Sequence, residues 1–371
     1  MSTRIAVATA IGCFAALPLL GLGPAYVGRA AGVRKPVTGT VPFATFIKLP
    51  GLSSGPPEPQ GINDAGTVIV GRSWDRADLL WAVKWTLQNG TWVISKLPAP
   101  LPQPKGAVAL GIDTFGNVVG YVASPPEHPV FWPVAGGSAL LGCNSDVGRV
   151  RAISANGQII VGFVGNLGQV DHRAAAWYPS GSCTEFLPSL EAGEFAEAWA
   201  VTGDGSTIGG RARHVSQPLV PVRWVVINSQ RQIQQIDARP GTVRAANESG
   251  DLAGTVEIAC AAVDGCRRAV IWSALGAVTE LETLGGEISS ANDINAEGEV
   301  VGSSTTSDGV FTPYFWSAST GMLALPSDSK GPANNRGGLP FALSDVRPDG
   351  TRLVVGTSNP SGAGVWIVRV P

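Results

Sequence analysis

Ile62-Asn63-Asp64-Ala65-Gly66-Thr67-Val68-Ile69-Val70-Gly71, followed at a distance by Trp85, is a phrase with seven copies along this chain. It consists of an aliphatic residue, a small or polar one, two free positions, Gly, a β-branched run, a second Gly and then Trp. The other copies begin at Ile112-Asp113 (Gly116, Gly120, Trp132), Ile153-Ser154 (Gly157, Gly162, Trp177) and Val201-Thr202 (Gly205, Gly210, Trp224). They continue at Ala246-Asn247 (Gly250, Gly254, Trp272), Ile294-Asn295 (Gly298, Gly302, Trp316) and Val346-Arg347 (Gly350, Gly356, Trp366). The first Gly recurs every 41 to 52 residues. A repeat of that length, filling the chain, dictates the architecture.

Repeat six shows the unit. Ala291 to Asn295 reads as a short strand, Ala296-Glu297-Gly298 as a turn and Glu299 to Gly302 as the return strand of a hairpin. A polar loop, Ser303 to Thr312, leads to a third strand opened by Tyr314-Phe315-Trp316. After Ser319-Thr320-Gly321 comes a fourth, Met322 to Leu325. Four strands in this span make a propeller blade. The aliphatic residue is expected to pack between blades, and the Asn, Asp, Ser or Thr beside it to bond its own turn. The second Gly is expected where a side chain would strike the neighbouring blade, and Trp is expected to fill the wedge between blades. The last repeat lacks a fourth strand. An orphan strand, Phe43 to Leu49, stands near the other end of the chain and is expected to complete blade seven, removing an exposed sheet edge. The fold class is therefore all-β, a seven-bladed β-propeller of four-stranded antiparallel blades filling residues 41–371. A β-solenoid has turns of about half this period, and an eighth copy for a larger ring is missing.

Composition agrees. Among 371 residues, 48 Gly and 28 Pro with only 15% charged residues argue against helical repeats of similar period. The formal net charge of −2, without basic runs, makes nucleic acid and anionic membrane poor partners. Arg4 precedes an apolar run from Ile5 to Leu22, and small residues near Ala25 and Ala30 suit a signal peptidase. Residues 1–31 read as a signal peptide, with an uncleaved anchor as the alternative. An exported chain permits disulfides, and Cys143, Cys183, Cys260 and Cys266 allow three connectivities. A Cys260–Cys266 bridge would pin a loop, and a Cys143–Cys183 bridge would link neighbouring outer strands. No Cys-x-x-Cys knuckle suggests a metal.

At these residues the chain resembles the HAF-repeat proteins, whose motif runs Ile-Asn-x-x-Gly-x-Val-Val-Gly, a loop, then His-Ala-Phe-x-Trp. His128-Pro129-Val130-Phe131-Trp132 is the nearest copy. The His position elsewhere holds Trp81, Arg173, Val220, Arg268, Thr312 and Gly362. The strand order also resembles kelch propellers. The resemblance implies an exported bacterial protein, secreted or periplasmic, without an assigned activity.

Loops joining strands two and three share one face with the blade-to-blade crossovers, and those are the segments that vary. Binding residues sit on variable loops of a rigid scaffold. The expected ligand-binding residues are Trp74, Arg76, Asp78, His128, His172, Arg173, Arg213 and His214, an aromatic-plus-Arg mix that interfaces favour. The three histidines suggest either a shared metal or general-base site, or three separate surface residues. None has the spacing of a metal-binding helix, so neither a metal nor another cofactor is expected. Nucleophile elbows, phosphate loops and dinucleotide fingerprints are missing. The expectation is a monomeric, non-enzymatic binding module for a glycan or protein partner, with no membrane contact beyond its signal. The alternative is a polysaccharide hydrolase or lyase using the loop histidines or channel carboxylates such as Asp293 and Asp345. A structural role in an envelope assembly is a third reading.

Overall fold

A computed structural model describes residues 44–370, except 54, 100–105, 124–125, 143–146, 166–170, 180–183, 216, 261–264, 327–337 and 359–361. The expected signal segment, Phe43, Cys143 and Cys183 lie outside the described residues. Within them the chain forms seven four-stranded antiparallel sheets arranged as the blades of a ring. Six blades use four consecutive strands. Blade one is representative: inner Glu58–Ile62, second Val68–Trp74, third Leu80–Gln88 and outer Thr91–Lys96. The other inner strands are Ala107–Ile112, Gly148–Ile153, Ala196–Val201, Gly241–Ala246, Gly285–Ile294 and Leu339–Leu343. Among the described residues no helix is long and apolar enough to cross a membrane.

The orphan strand closes the ring. Ala44–Lys48 pairs antiparallel with Gly362–Arg369 as the outermost strand of blade seven, with Ala44 opposite Val368 and Phe46 opposite Trp366. The Phe46 and Trp366 rings stand 4.9 Å apart. Leu49, next to the strand, is 2% exposed and donates its backbone N–H to Ala363.

The tryptophans fill the wedges between blades as expected. Trp85, Trp177, Trp224 and Trp366 are fully buried, and each packs on side chains of two neighbouring blades. In four repeats the polar edge of this Trp is satisfied by a device absent from the repeat phrase. The Trp85 indole N–H donates to the Pro50 carbonyl (2.7 Å), Trp132 to Pro98 (2.8 Å), Trp224 to Pro188 (2.7 Å) and Trp366 to Pro326 (2.8 Å). Each acceptor follows the outer strand of the preceding blade, directly after a buried Leu: Leu49, Leu97, Leu187 and Leu325. In blade five the Asp237 carboxylate takes the Trp272 indole instead (3.2 Å). A buried indole N–H without an acceptor costs roughly 1–3 kcal/mol, so aromatic burial and blade order are coupled. Because Pro50 ends the N-terminal strand, the bond that joins blade seven to blade one matches those inside the ring.

The aliphatic residues also pack between blades, Ile62 against Leu353 of blade seven and Ile294 against Ala245 of blade five. The turn chemistry holds too. Asn63 Oδ1 accepts the backbone N–H groups of Thr67 (2.8 Å) and Val68 (2.9 Å), with Gly66 at φ 63°. Repeat seven differs in one respect. The Arg347–Gly350 turn forms, Gly350 donating to the Arg347 carbonyl (2.8 Å), yet the inner strand ends at Leu343. Leu343, not Val346, takes the aliphatic position between blades six and seven.

Deleting residues 41–50 removes the outer strand, the Phe46–Trp366 contact and the acceptor of Trp85 together. The expected loss is on the order of 5 kcal/mol or more, by analogy with large buried truncations, and is read by denaturant unfolding. Unchanged unfolding of the truncated chain would rule out the closure.

Candidate functional site

Every inner strand contains a register shift, a β-bulge. It falls between Pro59 and Gly61, Ala109 and Gly111, Val150 and Ala152, Ala198 and Ala200, Val243 and Ala245, Ala291 and Asp293, and Pro340 and Ala342. A bulge re-aims the residue it leaves unpaired. The residues skipped are Gln60, Leu110, Arg151, Trp199, Arg244, Asn292 and Phe341, and all of them line a central cavity of about 540 Å³. The second Gly of each repeat makes the bulge possible. A Cβ on Gly71 would lie 2.1 Å from the Glu58 carbonyl oxygen, on Gly120 1.9 Å from that of Val108, and on Gly302 1.9 Å from that of Ser290. This corrects the reading that the Gly makes room for the neighbouring blade. The tight approach is to the inner strand of its own blade.

Three of these side chains meet. The Arg151 guanidinium lies over the Trp199 ring, 3.9 Å from its centroid, and the Arg244 guanidinium lies 5.2 Å from it. Trp199 is held from behind by a buried carboxylate. Glu197, 2% exposed, accepts the Trp199 indole N–H (3.0 Å), Arg211 Nε (2.8 Å) and His172 Nδ1 (2.6 Å). Burial alone would raise the Glu197 carboxyl, but His172 and Arg211 hold it down to about 2. Arg211 is thereby neutralised; Arg151 and Arg244 have no such partner among the described residues. Arg151 Nε is buried without a hydrogen-bond partner. Burial lowers the Arg151 guanidinium to about 10 against the pull of Glu197, and burial with Arg211 and Arg267 lowers that of Arg244. Arginine stays charged at neutral pH, so this wall of the channel presents two uncompensated cations.

The Asn-x-x-Gly turn face has the opposite sign. Asp64 and Glu248 each follow the Asn of their repeats, and Asp345 follows Ser344, which takes that place in repeat seven by donating its backbone N–H to the Leu353 carbonyl. Partial burial, with the Asp345 and Glu248 charges, raises the Asp64 carboxyl to about 6. Asp293 occupies the position that is Gly or Ala in the other inner strands. It lines the cavity and accepts the backbone N–H of Leu343 (2.7 Å) and of Ile294 (2.9 Å). Burial raises its carboxyl to about 7 despite those bonds. The Asp345 carboxylate is tied to the Ala296 N–H (2.9 Å), and Asp113 bonds its own turn through Phe115 and Asn117.

The loop residues expected to bind ligand are dispersed. Arg76 and Asp78 are exposed on blade one, and Asp78 sits at φ 55° in a tight turn closed onto Asp75. Trp74 stacks under Arg72, 5.4 Å away. His128 opens the third strand of blade two, half-buried. Arg173 covers the exposed Phe186 ring at 3.7 Å on the outer side of blade three. Arg213 pairs with Glu194 (3.4 Å) and His214 with Glu191 (2.9 Å). His172 does not present itself to solvent. It is 5% exposed, between the Phe163 and Phe195 rings and bonded to Glu197, so its place is structural. The histidines form no metal-capable group among the described residues. The group that does is Cys260, Cys266 and Glu287, and its two sulfurs are joined in the expected disulfide, Cα–Cα 5.7 Å.

Asp293, expected in the channel, lines the cavity, whereas the bulged residues were not among the expected site residues. A signal was present in six repeats: Gln60, Leu110, Arg151, Trp199, Arg244 and Asn292 each stand two positions before the aliphatic residue, followed by Gly or Ala in every copy but blade six, as in Gln60-Gly61-Ile62 and Arg151-Ala152-Ile153. Phe341 keeps that spacing only to Leu343.

No family model matches the sequence, so the HAF-repeat resemblance rests on the motif alone. No curated protein sequence is similar to the chain. Among solved structures, the β-propeller domain of the Trilobed protease from Pyrococcus furiosus matches with a TM-score of 0.51 and 9% identity, covering 87% of this chain and 94% of that one. Its published description is of an open velcro topology; here the N-terminal strand pairs into blade seven. A prolyl endopeptidase matches with a TM-score of 0.52 and 11% identity over 85% of this chain and 47% of its own. Puromycin hydrolase matches at 0.51 and 12% over 85% and 52%. Such likenesses show the propeller fold.

Asp293 and Asp64 bind a proton more tightly folded than an ordinary carboxyl does. Each therefore makes stability fall as pH rises from 3.8, through about 6 for Asp64 and about 7 for Asp293. Asp293→Asn is expected to raise the melting temperature relative to the parent at pH 8 and to leave little gain at pH 4. An equal effect at both pH values would show that Asp293 titrates as an ordinary carboxyl.

Proposed function

We propose that this chain is an exported, non-enzymatic binding module whose ligand, a glycan or a protein segment, enters the channel from the variable-loop face. The observation that carries the reading is the cup itself. Each blade contributes one bulged side chain to a common cavity, and the cavity reaches Phe311 and Leu339 at the loop-face ends of blades six and seven. Both are exposed apolar side chains, 43% and 44%. A rigid concave site with mixed aromatic and polar lining is where small ligands and chain ends bind. Exposed Arg76 and Asp78 lie on the same face and can widen the contact. Export is supported by the apolar segment of residues 5–22 and by the Cys260–Cys266 disulfide. Its destination in this reading is the periplasm or the medium.

Asp293 favours a second reading. A carboxyl held near 7 in a cavity wall suits a general acid, and the reaction would then be hydrolysis or elimination on a polysaccharide.

Thermal-shift measurements of residues 33–371 against oligosaccharides and peptides separate the two. A ligand present at a hundred times its Kd stabilises the native state by about 2.7 kcal/mol. The expected outcome is a rise in melting temperature with one ligand class, lost in Phe341→Arg, and no product by mass spectrometry. Consumption of the ligand, abolished in Asp293→Asn, would replace the binding reading with the enzymatic one.

A further inference from the structure

We propose that the channel site is built for a carboxylate-bearing saccharide, with Arg151 and Arg244 holding its acid groups around Trp199. This deepens the binding reading above and rests on it.

The positive wall is the first argument. Arg151 and Arg244 come from blades three and five and converge on the indole of blade four. A buried guanidinium N–H without an acceptor is costly for stability, and Arg151 carries one at Nε. Arg151 and Arg244 both line the cavity, where an oxyanion can give their guanidinium groups acceptors through charge-assisted, two-pronged bonds. Arg149 and Arg211 near Arg151, and Arg211 and Arg267 near Arg244, depress their guanidinium protonation. Arg149 is itself paired with Glu127 and Arg211 with Glu197, so the positive charge left on this wall is that of Arg151 and Arg244. Glu197 relieves this in part, but its oxygens are taken by His172, Arg211 and Trp199. An incoming anion therefore meets a field of favourable sign.

The second argument concerns what else lines the cavity. Ser303 Oγ is buried there without a partner. Asn292 spends its amide N–H on the Pro340 carbonyl (2.7 Å), leaving its oxygen to accept. Gln60 supplies another neutral amide. Neutral donors and acceptors suit sugar hydroxyls, and the Phe311 and Phe341 rings offer flat apolar surfaces to the C–H faces of a sugar. The acidic turn face, with Asp64, Glu248 and Asp345, repels an anion that travels further. The ligand is thus expected to enter from the loop face and stop at the arginine tier.

The test is isothermal titration of residues 33–371 with four tetrasaccharides: galacturonate, glucuronate, mannuronate and guluronate. The methyl ester of any that binds, tetraglutamate and inorganic phosphate are run beside them. The expected result is binding of at least one uronate, weakened by added salt, with the methyl ester at least tenfold weaker. Arg151→Gln and Arg244→Gln should each weaken it at least tenfold while the ligand-free melting temperature stays within a few degrees. The acid-against-ester comparison uses the unaltered protein, so it decides even if a variant fails to fold. Binding by none of the uronates, or equal binding by the ester, overturns the proposal. Equal or tighter binding of tetraglutamate or phosphate also overturns it, leaving a general oxyanion site. If neutral oligosaccharides bind and lose affinity in Phe341→Arg, the binding-module reading stands and only the acidic ligand falls.

Discussion

One bond recurs at five of the seven blade junctions among the described residues: a third-strand indole N–H given to an oxygen just beyond the outer strand of the preceding blade. Trp85, Trp132, Trp224 and Trp366 give it to proline carbonyls and Trp272 gives it to Asp237. The indole fills the wedge, and its polar edge reaches the one place where the neighbouring chain turns away with a carbonyl to spare. A proline there fits because the acceptor is its carbonyl, while its missing N–H has no ladder to serve. The same bond joins the two ends of the propeller, since Pro50 lies at the end of the strand that completes blade seven.

A rigid ring permits local irregularity within each blade. The second Gly lets an inner-strand carbonyl approach to a distance no Cβ tolerates, and the strand bulges beside it. That bulge turns one side chain per blade toward the axis. Framework and site are thus separable: Gly, aliphatic residue and Trp build the ring, while the bulged position is free to vary. In this chain the bulged positions of blades three, four and five hold Arg151, Trp199 and Arg244, and three acids stand in the turns at the opposite end. The result is a channel polarised along its axis.

Blade number, the ring-closing strand, the tryptophan wedge and the Asn turn were legible because each rests on a local pattern repeated along the chain. What escaped depended on pairing register. Nothing local to Gly120 says that its tight neighbour is Val108 of the same blade rather than a residue of the next. His172 reads as an open loop residue from its polar neighbours Asp171 and Arg173, yet Phe163 of the preceding strand and Phe195 and Glu197 at the start of the next blade enclose it. In repeat seven the longer turn shifts the aliphatic role from Val346 to Leu343, which only the inner-strand register reveals. The candidate site lay outside the loop residues for the same reason: its members are far apart in sequence and meet only once the ring closes.

The most direct measurement is a crystal structure of residues 33–371 grown in bromide, with anomalous scattering used to locate the ions. The expected result is a bromide against the Arg151 and Arg244 guanidinium groups beside Trp199, with the bulged side chain of each described inner strand facing the channel. An arginine pair neutralised by carboxylates of the chain itself, or a channel with no anion beside Trp199, would contradict the assignment of this wall as a ligand site.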